Sequence, residues 1–160
     1  MLSIEFARSQ FEDYLRTFLF TVVFPDSNVL QFAVESSRTP VDTSEDVRLP
    51  WMTSEFKLTG KVSFEDWEVT VRGDINGVVY NALKDWRERV YNKTSGRIGY
   101  ASEYKRDIQV QLLDLDENPV LSFTLIGAWP KAIQSVDLNM ANNEYVRFTT
   151  TFAYDYYQVA

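Results

Sequence analysis

Apolar and polar positions alternate with period two over most of this chain, the pattern of half-buried strands. Phe18, Phe20, Val22 and Phe24 alternate with Leu19, Thr21 and Val23, which predicts a first strand closed by the turn Pro25-Asp26-Ser27-Asn28. Val29 to Ser36 follows as a second strand. Residues 37–53 hold Pro40, Asp42, Glu45, Asp46 and Pro50 without sustained periodicity, so the expectation is a long excursion before Phe56-Lys57-Leu58 resumes extended structure. Trp67, Val69 and Val71 against Glu68, Thr70 and Arg72 predict a strand with one buried and one wet face.

The period then changes. From Gly77 to Tyr91, Val79, Leu83, Trp86 and Val90 recur at helical spacing, with Asp74 or Asn76 available as a cap and Asp85 to Arg89 as an i,i+4 ion pair. Beyond this helix, Ile108-Val110-Leu112 and Leu121-Phe123-Leu125 flank Asp116-Glu117-Asn118-Pro119 and predict a hairpin. Val136-Leu138-Met140 and the alternating run from Val146 to Tyr154, joined by Ala141-Asn142-Asn143-Glu144, predict another. At the start, Ile4, Phe11 and Leu15 fall near one helical face, so residues 4–15 read as a short helix outside the main core or as an arm.

A chain of 160 residues is the size of one domain, and 45% apolar residues supply enough surface to offset the entropy lost on folding. No repeat, low-complexity tract or Pro/Gly/Ser-rich linker divides it. The opening Met1-Leu2-Ser3-Ile4-Glu5-Phe6 lacks the basic and apolar regions of a secretory signal, and no later run is long and apolar enough to span a bilayer. The expectation is a soluble chain made in a cytoplasm, with no membrane insertion by the monomer.

The chain has no cysteine and no histidine, which excludes disulfides and thiolate chemistry and removes the usual general base and metal ligand. No enzyme activity, no metal and no cofactor are expected. A net charge of -7 opposes binding of polyanions but suits a surface past which DNA slides.

The chemical motifs are weak. No Gly-rich phosphate loop with a following lysine is present. Asp114-Leu115-Asp116-Glu117-Asn118 opens like a calcium loop, but Pro119 stands where glycine is needed and Leu125 where a bidentate glutamate is needed, which favours a solvated turn. Glu65-Asp66 and Asp137 have no neighbours that single them out as paired catalytic carboxylates. Asn92-Lys93-Thr94 is a glycosylation sequon without a secretory signal. Ala153-Tyr154-Asp155-Tyr156-Tyr157 lacks the basic residues of a nucleic-acid stacking platform and reads as a final strand. Charge is distributed unevenly, with Lys84, Arg87, Arg89, Lys93, Arg97, Lys105 and Arg106 in and after the helix and Glu35, Asp42, Glu45, Asp46 and Glu55 around the long excursion. Either these are two solvated surfaces, or the acidic region of one copy meets the basic region of another.

Several segments taken together resemble the contractile-tail tube family over nearly the whole chain. They are Phe64-Glu65-Asp66-Trp67-Glu68-Val69-Thr70-Val71 with Asp74, the Trp86 helix, Glu103-Tyr104-Lys105, Gly127-Ala128-Trp129-Pro130, Asn143-Glu144 and Ala153-Tyr154-Asp155-Tyr156. The resemblance implies a mainly β fold, a sandwich or small barrel of two packed antiparallel sheets with one flanking helix. It further implies six copies closing a ring around a channel, and rings stacking into a tube inside a contractile sheath, with baseplate and tail-terminator proteins as further partners and DNA passing through without specific binding. The place of such a protein is the virion, after assembly in the bacterial cytoplasm.

By the same resemblance, residues 37–58 are a long assembly loop whose candidate contacts are Pro40, Val41, Asp42, Glu45, Asp46, Pro50, Trp51 and Met52. Ile4, Phe6 and Phe11 of the N-terminal segment are candidate contacts between rings, and where the charge asymmetry is read as an interface, Arg87, Arg89, Lys93, Arg97, Lys105 and Arg106 are its basic partner surface. Within the family a bacteriocin or toxin-injection tube or a tube initiator is the alternative. Outside it, the alternative is a monomeric ligand-binding β-barrel with an internal apolar cavity.

Overall fold

The computed structural model describes residues 3–11, 13–26 and 28–160, so Met1, Leu2, Glu12 of the N-terminal segment and Ser27 of the expected first turn lie outside the described residues. The first elements are α1 (Ile4–Gln10), β1 (Phe20–Val23), α2 (Asn28–Ala33) and β2 (Val34–Ser37). A long hairpin follows, β3 (Asp42–Trp51) with β4 (Ser54–Phe64), and then β5 (Trp67–Arg72) and α3 (Val78–Val90). The short pair β6 (Tyr91–Asn92) and β7 (Arg97–Ile98) precedes α4 (Ala101–Tyr104). The chain ends with β8 (Arg106–Leu113), β9 (Pro119–Ile133), β10 (Arg147–Ala153) and β11 (Tyr156–Val159).

Every strand pairing is antiparallel, and two sheets share β9. One edge of β9 pairs with β8, through Ile108 opposite Leu125 and Val110 opposite Phe123. Its other edge is used twice, by β11 at residues 123–126 and by β10 at residues 129–133. The first sheet therefore runs β1-β8-β9-β11 and the second β9-β10-β5-β2. Gly127 lies between the two pairings with φ 70, a conformation that costs an L-residue steric strain.

Val22, Ile108, Val110 and Leu125 from the first sheet meet Trp67, Val69, Val71 and Phe152 from the second in one buried cluster. Helix α3 completes it with Val79, Leu83 and Trp86. The rings of Phe24, Trp67 and Trp86 pack around Phe152 at 5.4–6.1 Å, filling the space between the layers with aromatic side chains. Both buried indoles find acceptors, Trp86 at the Tyr104 carbonyl at 2.7 Å and Trp67 at the Arg38 carbonyl. The helix begins after Gly77, which takes the capping position with φ 70, while the Asp74 carboxylate accepts from the Val79 N–H at 3.1 Å. That backbone donor holds the Asp74 carboxyl below the usual aspartate range.

Four local expectations are corrected. Val29 to Ser36 is not one strand, because residues 28–33 turn as α2, which brings Leu30 and Ala33 toward the core and leaves Phe32 in solvent. An i,i+3 pair buried this way outweighs the apparent alternation. Residues 42–51 are not loop but strand, paired residue by residue with β4. Val136-Leu138-Met140 forms no strand, since β10 pairs with the end of β9 instead, Thr150 opposite Ile133. Asp85 and Arg89 make no ion pair among the described residues.

Replacing Gly127 by alanine is expected to destabilise the protein by about 1–3 kcal/mol from backbone strain, with more from contact. A Cβ there would lie 2.3 Å from Asp155 Oδ2, the carboxylate that holds Lys105 at 2.8 Å. Thermal unfolding followed by circular dichroism tests this, and an unchanged midpoint contradicts it.

Candidate self-assembly surfaces

The β3–β4 hairpin carries apolar side chains on one face and charged ones on the other. Val47 opposite Leu58, Leu49 opposite Phe56, and Trp51 opposite Ser54 share a face. Asp46, Arg48, Glu55 and Lys57 take the reverse face, where Arg48 reaches Asp46 at 3.3 Å and Glu55 at 3.9 Å. No residue of β3 or β4 is buried, so the apolar face lies open to solvent, with Trp51 65% and Met52 91% exposed. The turn is tight, and Met52 takes a positive φ of 53, unusual for a residue with a side chain. A register shift between Ser44 and Asp46 bends the ribbon beside Gly60, where a Cβ would come within 3.0 Å of the Glu45 carbonyl.

The ribbon is anchored at its base. The Phe64 ring packs edge-on against Tyr154 and Tyr157, each at 6.0 Å. Tyr157 donates its hydroxyl to Asp42 at 2.6 Å, an attachment to the carboxylate that raises the tyrosine pKa. The Tyr154 hydroxyl, donated to the Val41 carbonyl at 3.4 Å, is raised chiefly by burial. Sequence reasoning placed Tyr154 and Tyr157 in the last strand without linking them to this segment. Pro40 is buried at the foot of the hairpin, whereas Val41, Asp42, Glu45, Asp46 and Pro50 are exposed.

Helix α1 contains no buried residue, and Ile4, Phe6 and Phe11 all face solvent. Its start is capped by Ser3, whose hydroxyl accepts from the Phe6 N–H at 3.2 Å. Among the described residues β1, β2 and β11 each pair with one strand, leaving one main-chain edge without a strand partner.

The basic residues divide into three groups. Lys105 binds Asp155 and Arg106 lies 3.7 Å from Asp26. Arg89 lines a shallow pocket with Asp26, Asp85 and Arg106, and Arg97 stands 5.9 Å over the Tyr100 ring. Arg87 and Lys93 border a groove of about 330 Å³ between α3 and the end of β9. On the acidic side, the sequence singled out Glu35 but not its partners: Tyr145 donates to it at 2.7 Å, Arg147 at 2.9 Å, and Arg72 lies at 3.9 Å. Tyr145 and Arg147 lie more than a hundred residues from Glu35 in sequence, which hid this cluster from local pattern reading. Among the described residues no group of His, Cys, Asp and Glu is placed to hold a metal ion.

Two antiparallel sheets sharing a bent strand, with a ribbon projecting from them, make a fold that is shared with solved components of contractile injection systems. The chain is similar to a protein in the extended sheath–tube complex of an extracellular contractile injection system, with TM-score 0.70 and 16% identity over 100% of this chain and 99% of that one. It is equally similar to the tube-terminating cap of the anti-feeding prophage, with TM-score 0.71 and 18% identity over 92% and 91%. Residues 3–160 match the phage tail tube protein family, and the chain belongs to that family. It is 30% identical to the tail tube protein of Serratia phage KSP90 over 121 residues, covering 74% of this chain and 68% of that protein. Identity to tail tube protein gp19 of Enterobacteria phage T4 is 26% over 132 residues, covering 79% and 80%.

The Glu35 cluster makes one contact of the 134–146 connection pH-sensitive. The Tyr145 hydroxyl, followed by Arg147 and Arg72, holds the Glu35 carboxyl below its ordinary range, against a smaller opposing effect of desolvation. A group depressed on folding stabilises the folded contact above its unfolded pKa and loses that contribution as acid protonates it. The aromatic NMR resonances of Tyr145 are therefore expected to hold their folded positions at neutral pH and to move toward those of a free tyrosine below about pH 4, the ordinary glutamate range. Glu35→Gln should remove most of this acid dependence, and a profile unaltered by the substitution contradicts the assignment.

Proposed function

We propose that the chain is the repeating subunit of the inner tube of a contractile tail, six copies closing a ring through their sheet edges and rings stacking into a hollow conduit. The observation that carries this reading is the solvent-facing apolar face of the β3–β4 ribbon. A monomer has no reason to hold Val47, Leu49, Trp51, Phe56 and Leu58 in water, whereas a subunit that lays this face on a neighbour removes them from it. Trp51 and Met52 at the tip are the anchors, each contributing roughly 1.5–3 kcal/mol if fully covered. Edges of β1, β2 and β11 that pair with sister copies satisfy main-chain groups and convert separate sheets into a continuous barrel.

The exposed Ile4 and Phe6 of α1, with Phe11 just beyond it, are a second contact between rings, and the cationic surface around Arg87 and Lys93 receives an acidic element of another copy. Similar proteins occur in a sheath–tube complex, a sheath/tube terminator and a baseplate, which supports sheath, terminator and baseplate proteins as partners of this chain. The mechanism requires no reaction centre. A sheath shortens, the rigid tube is driven through the target envelope, and DNA passes through a lumen whose acidic or neutral character keeps a polyanion from adhering. The place of action is the virion.

Trp51→Glu is expected to leave circular dichroism and thermal unfolding near those of the unaltered protein, because the side chain is 65% exposed on a ribbon that holds no buried residue, yet to abolish sedimenting polymer. Tubes of normal length from this variant contradict the role given to the ribbon.

A further inference from the structure

Two groups of charged side chains of opposite sign, most without an ionic partner among the described residues, lie at the two ends of β9. At its start, the β8–β9 turn is held by Asp114, whose carboxylate accepts from the N–H groups of Asp116 and Asn118, both at 2.9 Å. Glu117 takes a positive φ of 64 in this turn. The carboxylates of Asp116 and Glu117 have no hydrogen-bond or ion-pair partner among the described residues, and Leu115 beside them is 60% exposed. Arg16, which lies near this end in the chain path beside Asp13 and Tyr14, is already paired with Asp13 at 2.9 Å. The tip is thus a rigid anionic knob with an apolar shoulder.

At the end of β9, Tyr80, Lys84 and Arg87 of α3 form one stripe facing Lys131 to Ile133, with Tyr91 of β6 and Lys93 completing the groove. Four cations line this groove against one carboxylate, Glu88. Lys131 is engaged by Asp66 at 2.9 Å, but the side chains of Lys84, Arg87 and Lys93 have no ionic partner among the described residues. Two tyrosine rings and Ile133 give the groove apolar walls.

Tip and groove do not meet within one chain. The 15 residues of β9 lie between them, up to about 45–50 Å of extended strand before the bend at Gly127 is allowed for. A head-to-tail contact between copies brings them together, and such a contact propagates because each copy offers one tip and one groove. The two kinds of contact then divide by direction: strand edges grow a sheet sideways, and strand ends meet along the strands.

Resting on the tube reading above, we infer that the acidic β8–β9 tip of a copy in one ring enters the cationic α3–β9 groove of a copy in the next, with Asp116 and Glu117 against Lys84, Arg87 and Lys93. This contact sets the polarity of stacking, since tip against tip and groove against groove are repulsive.

The test uses the full-length protein and three variants: Asp116→Lys with Glu117→Lys, Lys84→Glu with Arg87→Glu, and the combination of all four. Either pair alone is expected to yield rings without long tubes in negative-stain images, and the fourfold variant to regain tubes. Tubes of the unaltered protein should also shorten as salt rises. Normal tubes from both paired variants, or rings that the fourfold variant fails to stack, overturn the contact while leaving the ring reading in place. If the paired variants lose even rings, the contact is lateral and the stacking inference falls. Absence of both rings and tubes from the unaltered protein removes the two proposals together.

Discussion

The structure depends on one strand serving two sheets. β9 pairs with β8 along one edge and with β11 and then β10 along the other, and the change of partner falls at Gly127, whose φ of 70 lets the chain turn there. Asp155 fills the space that a side chain at Gly127 would need and binds Lys105, while its N–H donates to the Ile126 carbonyl at 2.9 Å. From this hinge the layers diverge, and the aromatic cluster of Phe24, Trp67, Trp86 and Phe152 occupies the space between them. The same bend decides what is left over: strands paired on one side, a turn at one end of β9 and a groove at the other.

What projects from this body is arranged opposite to an ordinary surface. An isolated two-stranded ribbon is marginal in water, and β3–β4 adds an apolar face that covers none of its own core. The tyrosine pair and Asp42 secure its base, and the proposed contact with a neighbouring copy would cover its outer half. In the proposed assembly, exposed apolar side chains and charged side chains without ionic partners carry the contacts between copies.

Most of the framework was legible from the sequence because its residues obey one period each. Trp67, Val69 and Val71 alternate into the core as expected, and Val79, Leu83, Trp86 and Val90 are the buried residues of α3. The β8–β9 hairpin also lies where the turn residues placed it. The β3 strand escaped because its alternation, Val47, Leu49 and Trp51 against Asp46, Arg48 and Pro50, is interrupted at a bulge and includes a proline. α2 escaped because six residues hold barely two turns of periodicity, and burial of Leu30 decides its form. The charge asymmetry was visible as composition, but which charges are free was not. Glu35, Lys105 and Arg106 are engaged by residues remote in sequence, whereas Arg87, Lys93, Asp116 and Glu117 are left available.

The central claim is that copies of this chain complete one another around a channel. Negative-stain electron microscopy of the purified full-length protein at rising concentration measures this directly. Hollow rings with six-fold averages, joining end to end into tubes of constant bore, are the predicted result. A population of single compact particles at every concentration contradicts it.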